Sequence, residues 1–170
     1  MAKIWEGKPS APGMRFAVVM SRFNSGVTDK LLEGALEALK RAQVAAEDVE
    51  VVRVPGAFEI PLAAKALAAS GRFSGVVCIA AIVKGGTPHW DYLSRTVTDA
   101  VARVALDTGV PVTNAVLTTE TLDQAAERSM GRGSDNKGYD AALAAVETAV
   151  LHRSLAGGAG GAVGGKNGKG

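Results

Sequence analysis

The chain has 170 residues, with 19 Lys and Arg against 17 Asp and Glu, and the two surplus charges, Lys166 and Lys169, lie in a glycine-rich stretch at residues 157–170. The rest is formally neutral, which excludes the concentrated basic face of a dedicated nucleic-acid binder. A single cysteine, Cys78, excludes an intramolecular disulfide and a Cys-rich zinc site, and two histidines, His89 and His152, argue against a His-rich metal cage.

About 155 residues of body fit one domain able to bury most of its apolar surface without a staple. The opening Met1-Ala2-Lys3-Ile4-Trp5-Glu6 lacks the apolar run of a signal peptide. The longest apolar stretch, 76–83, is far short of a membrane span. A soluble, cytoplasmic protein is expected. Residues 1–14 carry Pro9, Pro12 and Gly13 and read as an arm outside the core. Residues 15–155 read as the domain, and 156–170 as a tail too poor in apolar side chains to order itself.

Residues 15–21 form a near-continuous apolar run, as in a strand covered on both faces. Val27, Leu31, Ala35 and Leu39, with Thr28, Leu32 and Leu36 one step round, predict an amphipathic helix capped by Asn24 or Ser25. A second strand at 49–54 is stopped by Pro55-Gly56, and a helix follows over 58–70, with Pro61 in its first turn. The most apolar strand, 76–83, is expected in the centre of the sheet. Lys84-Gly85-Gly86-Thr87 leads into a helix over 88–108, with Thr87 as N-cap and Pro88 at the first helical position. A fourth strand is predicted at 110–117, a short helix capped by Thr121 with Gln124 three residues on, and a last helix over 135–155. Strand–helix alternation of this kind implies a parallel sheet with helices on both faces and right-handed crossovers. The ligand then belongs beyond the carboxyl ends of the strands, in the segments 22–26, 55–59, 84–89 and 118–121.

Those segments carry unusual chemistry. Gly85 and Gly86 let backbone N–H groups approach a ligand without a Cβ in the way, and with the helix start behind them they predict a phosphate cradle. A plain glycine turn would look the same. The arrangement is neither a P-loop nor a G-x-G-x-x-G turn. A lone histidine is more often structural than catalytic, but His89 in the first turn beside such a cradle is read as a proton carrier. His152 has no such company and is expected at the surface. Glu59 at the start of the second helix suits the helix dipole and can also accept hydrogen bonds from ligand hydroxyls. Phe23 either covers the edge of the core or stacks on a planar ring. Arg128 and Lys137 flank the flexible Met130–Asp135 segment and suit an anion. Cys78 reads as an inert small hydrophobe.

Arg22-Phe23-Asn24, Val54-Pro55-Gly56-Ala57-Phe58-Glu59-Ile60-Pro61, Lys84-Gly85-Gly86-Thr87-Pro88-His89-Trp90-Asp91-Tyr92, Leu117-Thr118-Thr119-Glu120 and Asn136-Lys137-Gly138, in this order and spacing, closely resemble the lumazine synthases. The resemblance runs from about Ile4 to Leu155. It implies a flavodoxin-like three-layer α/β/α sandwich around a four-stranded parallel sheet. It implies a transferase that condenses 5-amino-6-(D-ribitylamino)uracil with 3,4-dihydroxy-2-butanone 4-phosphate, giving 6,7-dimethyl-8-ribityllumazine, phosphate and water in the penultimate step of riboflavin biosynthesis, with no metal or organic cofactor. By the same resemblance Phe23 stacks on the pyrimidine, Ala57, Phe58 and Glu59 meet the ring edge and ribityl chain, and Ala81, Ile82 and Val83 hold the pyrimidine through their backbone. Gly86, Thr87 and Arg128 bind phosphate, His89 moves protons, and Asn114 and Lys137 line the same site from a neighbouring subunit. Family members are pentamers or icosahedral shells of sixty subunits, and riboflavin synthase is a candidate companion. Asn114 stands where several members carry an aromatic and Lys84 where Arg is common, and the 131–135 linker is about one residue longer than the shell-forming pattern. A binding module that holds a flavin or phosphorylated ligand without turnover, and a purely structural shell subunit, are the competing readings.

Overall fold

The computed structural model describes residues 2–131 and 133–157. Strands β1 (Phe16–Ser21), β2 (Val49–Val54), β3 (Gly75–Val83) and β4 (Val112–Thr119) form one all-parallel sheet in the order β2-β1-β3-β4. Helix α1 (Ser25–Arg41) joins β1 to β2, α2 (Ile60–Ala69) joins β2 to β3, and α3 (His89–Thr108) joins β3 to β4. The short α4 (Leu122–Glu127) and the long α5 (Lys137–Gly157) follow.

Alternation along the strands sorts the side chains between two layers. Phe16, Val18, Met20, Val77, Ile79, Ala81, Ala115 and Leu117 pack with α1 and α5, whereas Ala17, Val19, Val76, Cys78, Ala80, Ile82 and Val116 pack with α2 and α3. β1 is buried along its whole length and β3 along all but its last residue, which is why both read as unbroken apolar runs. The fold is the flavodoxin-like three-layer α/β/α sandwich. The chain steps from β1 outward to β2 and then jumps back over β1 to β3, so the sheet reverses direction between β1 and β3.

Four local expectations need correction. Strand β4 begins two residues later than predicted, because Gly109 ends α3 in the left-handed region (φ 67°) and Pro111 uses its carbonyl to accept from Val76 N–H (2.9 Å) before the ladder starts. The same strand runs two residues past its predicted end, so Thr118 and Thr119 are strand residues opposite Ile82 and Val83. Residues 57–59 form a 3-10 turn, so α2 starts at Ile60 with Pro61 in its first turn. A similar 3-10 turn, Gly133–Asp135, delays α5 to Lys137. The arm is not wholly outside the core: Ala11 and Met14 are buried in the α1/α5 layer, and Ala11 N–H donates to Ala42 carbonyl (2.8 Å) at the end of α1. No periodicity announces this, because Pro9, Pro12 and Gly13 break the segment into single contacts. The glycine-rich tail from residue 158 lies outside the described residues.

The α1/α5 contact requires glycine on both helices. At Gly138 a Cβ would fall inside the van der Waals radius of the Leu31 carbonyl oxygen, and at Gly34 it would strike the Asn136 side chain. Backbone cannot move aside as a flexible side chain can. Gly138→Ala is expected to lower unfolding free energy by about 3 kcal/mol in a denaturant titration. Gly26→Ala, at an exposed position near the start of the same α1 with no atom within 4 Å of the new Cβ, should leave it unchanged or raise it by less than about 1 kcal/mol.

Candidate active site

At the reversal between β1 and β3, the loops after β1, β2 and β3 converge on a cleft of about 400 Å³ at the carboxyl edge of the sheet, where open α/β sheets hold ligands. Phe23 stands on its rim, 70% exposed. The Ala57–Glu59 turn supplies the buried Ala57 and the exposed Phe58 and Glu59. Glu59 Oε2 accepts from Gly56 N–H at 2.9 Å, so this carboxylate holds its own turn while facing the cleft. The floor is the end of β3: Ala81, Ile82 and Val83. Ala81 carbonyl accepts from Asn24 Nδ2 (2.8 Å) and Ile82 carbonyl from Trp90 Nε1 (3.3 Å).

The glycine turn closes the cleft. Gly85, Thr87 and His89 line it, with Gly86 between them at the surface. A Cβ built at Gly85 or Gly86 meets no atom within 4 Å, and neither residue has a positive φ. The fold itself does not demand glycine there, and the backbone is left open at the cleft. Thr87 does not cap the helix as predicted. Pro88 takes that position, its carbonyl accepting from Asp91 N–H (3.0 Å), and no side chain caps the end. Proline's fixed φ, here −62°, already matches the helix, so the hydroxyl of Thr87 is left for the cleft. His89 is the first residue of α3 and exposed. His152 is at the surface, as expected.

The remaining predicted residues lie elsewhere in the same chain. Asn114, Arg128 and Lys137 line a more open groove between β4 and α5, together with Asp140. Asn114 Oδ1 accepts from Val116 N–H (2.9 Å), Arg128 Nη1 donates to Gln124 carbonyl (2.9 Å), and Lys137 Nζ pairs with Asp140 at 2.7 Å. Arg128 and Lys137 are brought side by side by a bond from Lys137 N–H to Arg128 carbonyl (2.9 Å). One chain therefore does not join Arg128 to Gly86 and Thr87. Lys84 is drawn to Glu120 (3.0 Å) at the end of β4. Trp90, Leu93 and Asp140 line these surfaces without a sequence expectation behind them. The first-turn position of Trp90 in the 84–92 motif is the one signal that points to it; Leu93 and Asp140 carry no local signal. Among the described residues no group of three or more His, Cys, Asp or Glu side chains could hold a metal ion, and no helix is long and apolar enough to cross a membrane.

The parallel sheet with its cleft at the reversal point, lined by an open glycine turn and an adjacent histidine, has the layout of an α/β enzyme site. The sequence pattern of the 6,7-dimethyl-8-ribityllumazine synthases matches residues 13–153. The 6,7-dimethyl-8-ribityllumazine synthase of Syntrophus aciditrophicus is 48% identical over 155 residues, covering 91% of this chain and all of that protein. That of Desulfotalea psychrophila is 51% identical over 155 residues, covering 91% of this chain and 99% of its own length. The chain belongs to the 6,7-dimethyl-8-ribityllumazine synthase family, and with it to the transferases of riboflavin biosynthesis.

Cys78 lies between the sheet and the α2/α3 layer, fully buried, and burial pushes its thiol from the ordinary 9.0 up to about 12. Only the thiolate reacts readily. At pH 8 the native protein should resist a thiol-specific disulfide reagent and titrate one thiol once unfolded. Because the folded value lies above the unfolded one, the neutral thiol's contribution to stability is whole below pH 9 and is lost as pH rises towards about 12.

Proposed function

We propose that this chain joins 5-amino-6-(D-ribitylamino)uracil to 3,4-dihydroxy-2-butanone 4-phosphate, the substrate amine acting as its own nucleophile. The observation that carries this is the convergence of an aromatic platform, a carboxylate, a glycine cradle and a histidine on one cleft at the sheet reversal. Phe23 stacks on the pyrimidine, the Ala57–Glu59 turn and the end of β3 hold the ring edge and ribityl chain, and Gly85, Gly86 and Thr87 face the phosphate. His89 gives and takes protons during imine formation and phosphate elimination. Much of the rate comes from holding two substrates together, and no residue needs to become a covalent nucleophile.

Charge argues for a second copy of the chain. The described residues lining the cleft include Glu59 but no lysine or arginine. A phosphate dianion there lacks a fixed cation, whereas Arg128 and Lys137 sit in the groove along β4 and α5. We assign that groove to the cleft of a neighbouring subunit, where Arg128 and Lys137 meet the phosphate and Asn114 faces the pyrimidine by hydrogen bonding instead of stacking. The pentamer, alone or as one of twelve in a sixty-subunit shell, is the assembly the resemblance supplies. Riboflavin synthase is the companion such a product implies, and the cytoplasm the compartment.

His89→Gln should lower kcat about a hundredfold with both KM values nearly kept, and unchanged turnover would remove the proton-carrier role. Arg128→Ala should raise KM for the butanone phosphate more than for the pyrimidine. Mixing and reassembling these two variants tests the shared site directly. Chains with an intact groove then meet chains with an intact cleft, and turnover should recover to a fraction of wild type. A mixture no more active than its components would place both residues in one subunit's site or in none.

A further inference from the structure

We propose that Asn24 is a positioning residue: its side-chain amide, tied to the Ala81 carbonyl, fixes the backbone of Phe23 so that the exposed ring is presented over the cleft. The inference rests on the reading of Phe23 as the platform for the pyrimidine.

Three observations converge. Asn24 is in the left-handed region (φ 59°, ψ 45°), one of only two non-glycine residues to be so among those described. Asparagine tolerates that region better than most residues, but glycine tolerates it best. Asn24 also occupies the N-cap position of α1, where an asparagine side chain ordinarily accepts from a first-turn N–H. No such bond is made. The amide instead reaches across to β3 and donates to Ala81 carbonyl at 2.8 Å. It does so just where the β1–β3 ladder has run out, since the last backbone pair is Met20 with Ile79. Helix capping is thus forgone for a tether across the cleft.

The other side of Phe23 is clamped too. Its N–H donates to the Oγ of Ser21 at 3.1 Å, and Ser21 is itself buried, 1% exposed. The ring, at 70% exposure, is not held by packing. What orients it is the backbone between two anchors, Ser21 on one side and Asn24 on the other. A platform fixed before the ligand arrives loses less freedom on binding than one that must be ordered by it.

The test varies each substrate in turn at saturating levels of the other, for Asn24→Gly, Ser21→Ala, Phe23→Ala and the Phe23→Ala/Asn24→Gly pair. Glycine adopts the observed φ without strain, so Asn24→Gly removes the tether and spares the backbone. It should raise KM for the pyrimidine about fivefold, leave KM for the butanone phosphate within about twofold, and change the thermal midpoint little. Ser21→Ala should shift the pyrimidine KM in the same direction and decides the matter if Asn24→Gly does not assemble. In the Phe23→Ala background Asn24→Gly should add nothing. Wild-type KM in Asn24→Gly, an equal rise for both substrates, or an undiminished effect without the ring would each overturn the positioning role. Phe23→Ala with no effect on the pyrimidine KM would instead sink the platform on which the role depends.

Discussion

β1 pairs with β3 only as far as Met20 and Ile79, whereas β3 runs on to Val83 against β4. This mismatch falls where the sheet reverses direction, and the cleft depends on it. Parallel strands need crossovers, and a crossover to each side of β1 sends α1 to one face and α2 to the other. The space between their starting loops cannot be closed by either helix. Because β1 stops early, the top of β3 has no strand beside it on that side. Buried or half-buried backbone groups there need partners from elsewhere. Asn24 supplies one to Ala81 and Trp90 one to Ile82. A ligand with donors and acceptors on its edge meets a strand end already accustomed to non-strand partners.

A second side-chain amide organises the other surface. Asn136 is 2% exposed, and its Nδ2 donates to Lys30 carbonyl (2.9 Å) and Ser129 carbonyl (2.7 Å). Its Oδ1 accepts from the N–H groups of Gly138 (2.9 Å) and Tyr139 (3.2 Å). Every hydrogen-bonding capacity of a primary amide is used, the condition under which a buried polar group specifies a structure without a penalty. Gly34 leaves the room for it. The bonds pin the start of α5 to α1 and to the end of the α4 turn, and in doing so bring Arg128 and Lys137 to one groove. Cleft and groove share a logic: an asparagine stands in for backbone where regular pairing ends.

That logic also separates what was legible in the sequence from what was not. The runs at 15–21 and 76–83 announced buried strands because both faces are covered, and β2 matched its prediction to the residue. The glycine turn and His89 were found at the cleft because strand–helix alternation alone fixes which ends of the strands face the ligand. The α1 stripe was right for Val27, Leu31, Ala35 and Leu39, whereas Leu36 is 37% exposed, since burial follows the neighbours and not the period alone. The start of β4 differs from its expected place because apolar Val110 and Pro111 resemble strand residues, whereas Gly109 reverses the chain and the Pro111 carbonyl bonds to Val76 before the ladder begins. In sequence Asn24 looks like a cap and Asn136 like one member of a motif, because an amide's partners 57 and 106 residues away leave no local trace. The division of site residues between two surfaces was likewise invisible to spacing and came only from the resemblance.

The neutral body now has a physical meaning at the site. Among the described residues no lysine or arginine lines the cleft, and the groove holds two cations whose present partners are weak. Lys137 and Asp140 are 49% and 36% exposed, and a pair so open to solvent contributes little and can be exchanged cheaply. Arg128 spends one amino group on the Gln124 carbonyl and keeps the rest of its fork. A dianion held between a cleft and a neighbour's groove would draw on both at once, with charge assistance the isolated cradle lacks. In the proposed assembly, contact between subunits and retention of phosphate are linked free energies: whatever tightens one tightens the other. In that assembly the fold would need no basic face, because its positive charge would be delivered to the anion only where two chains meet.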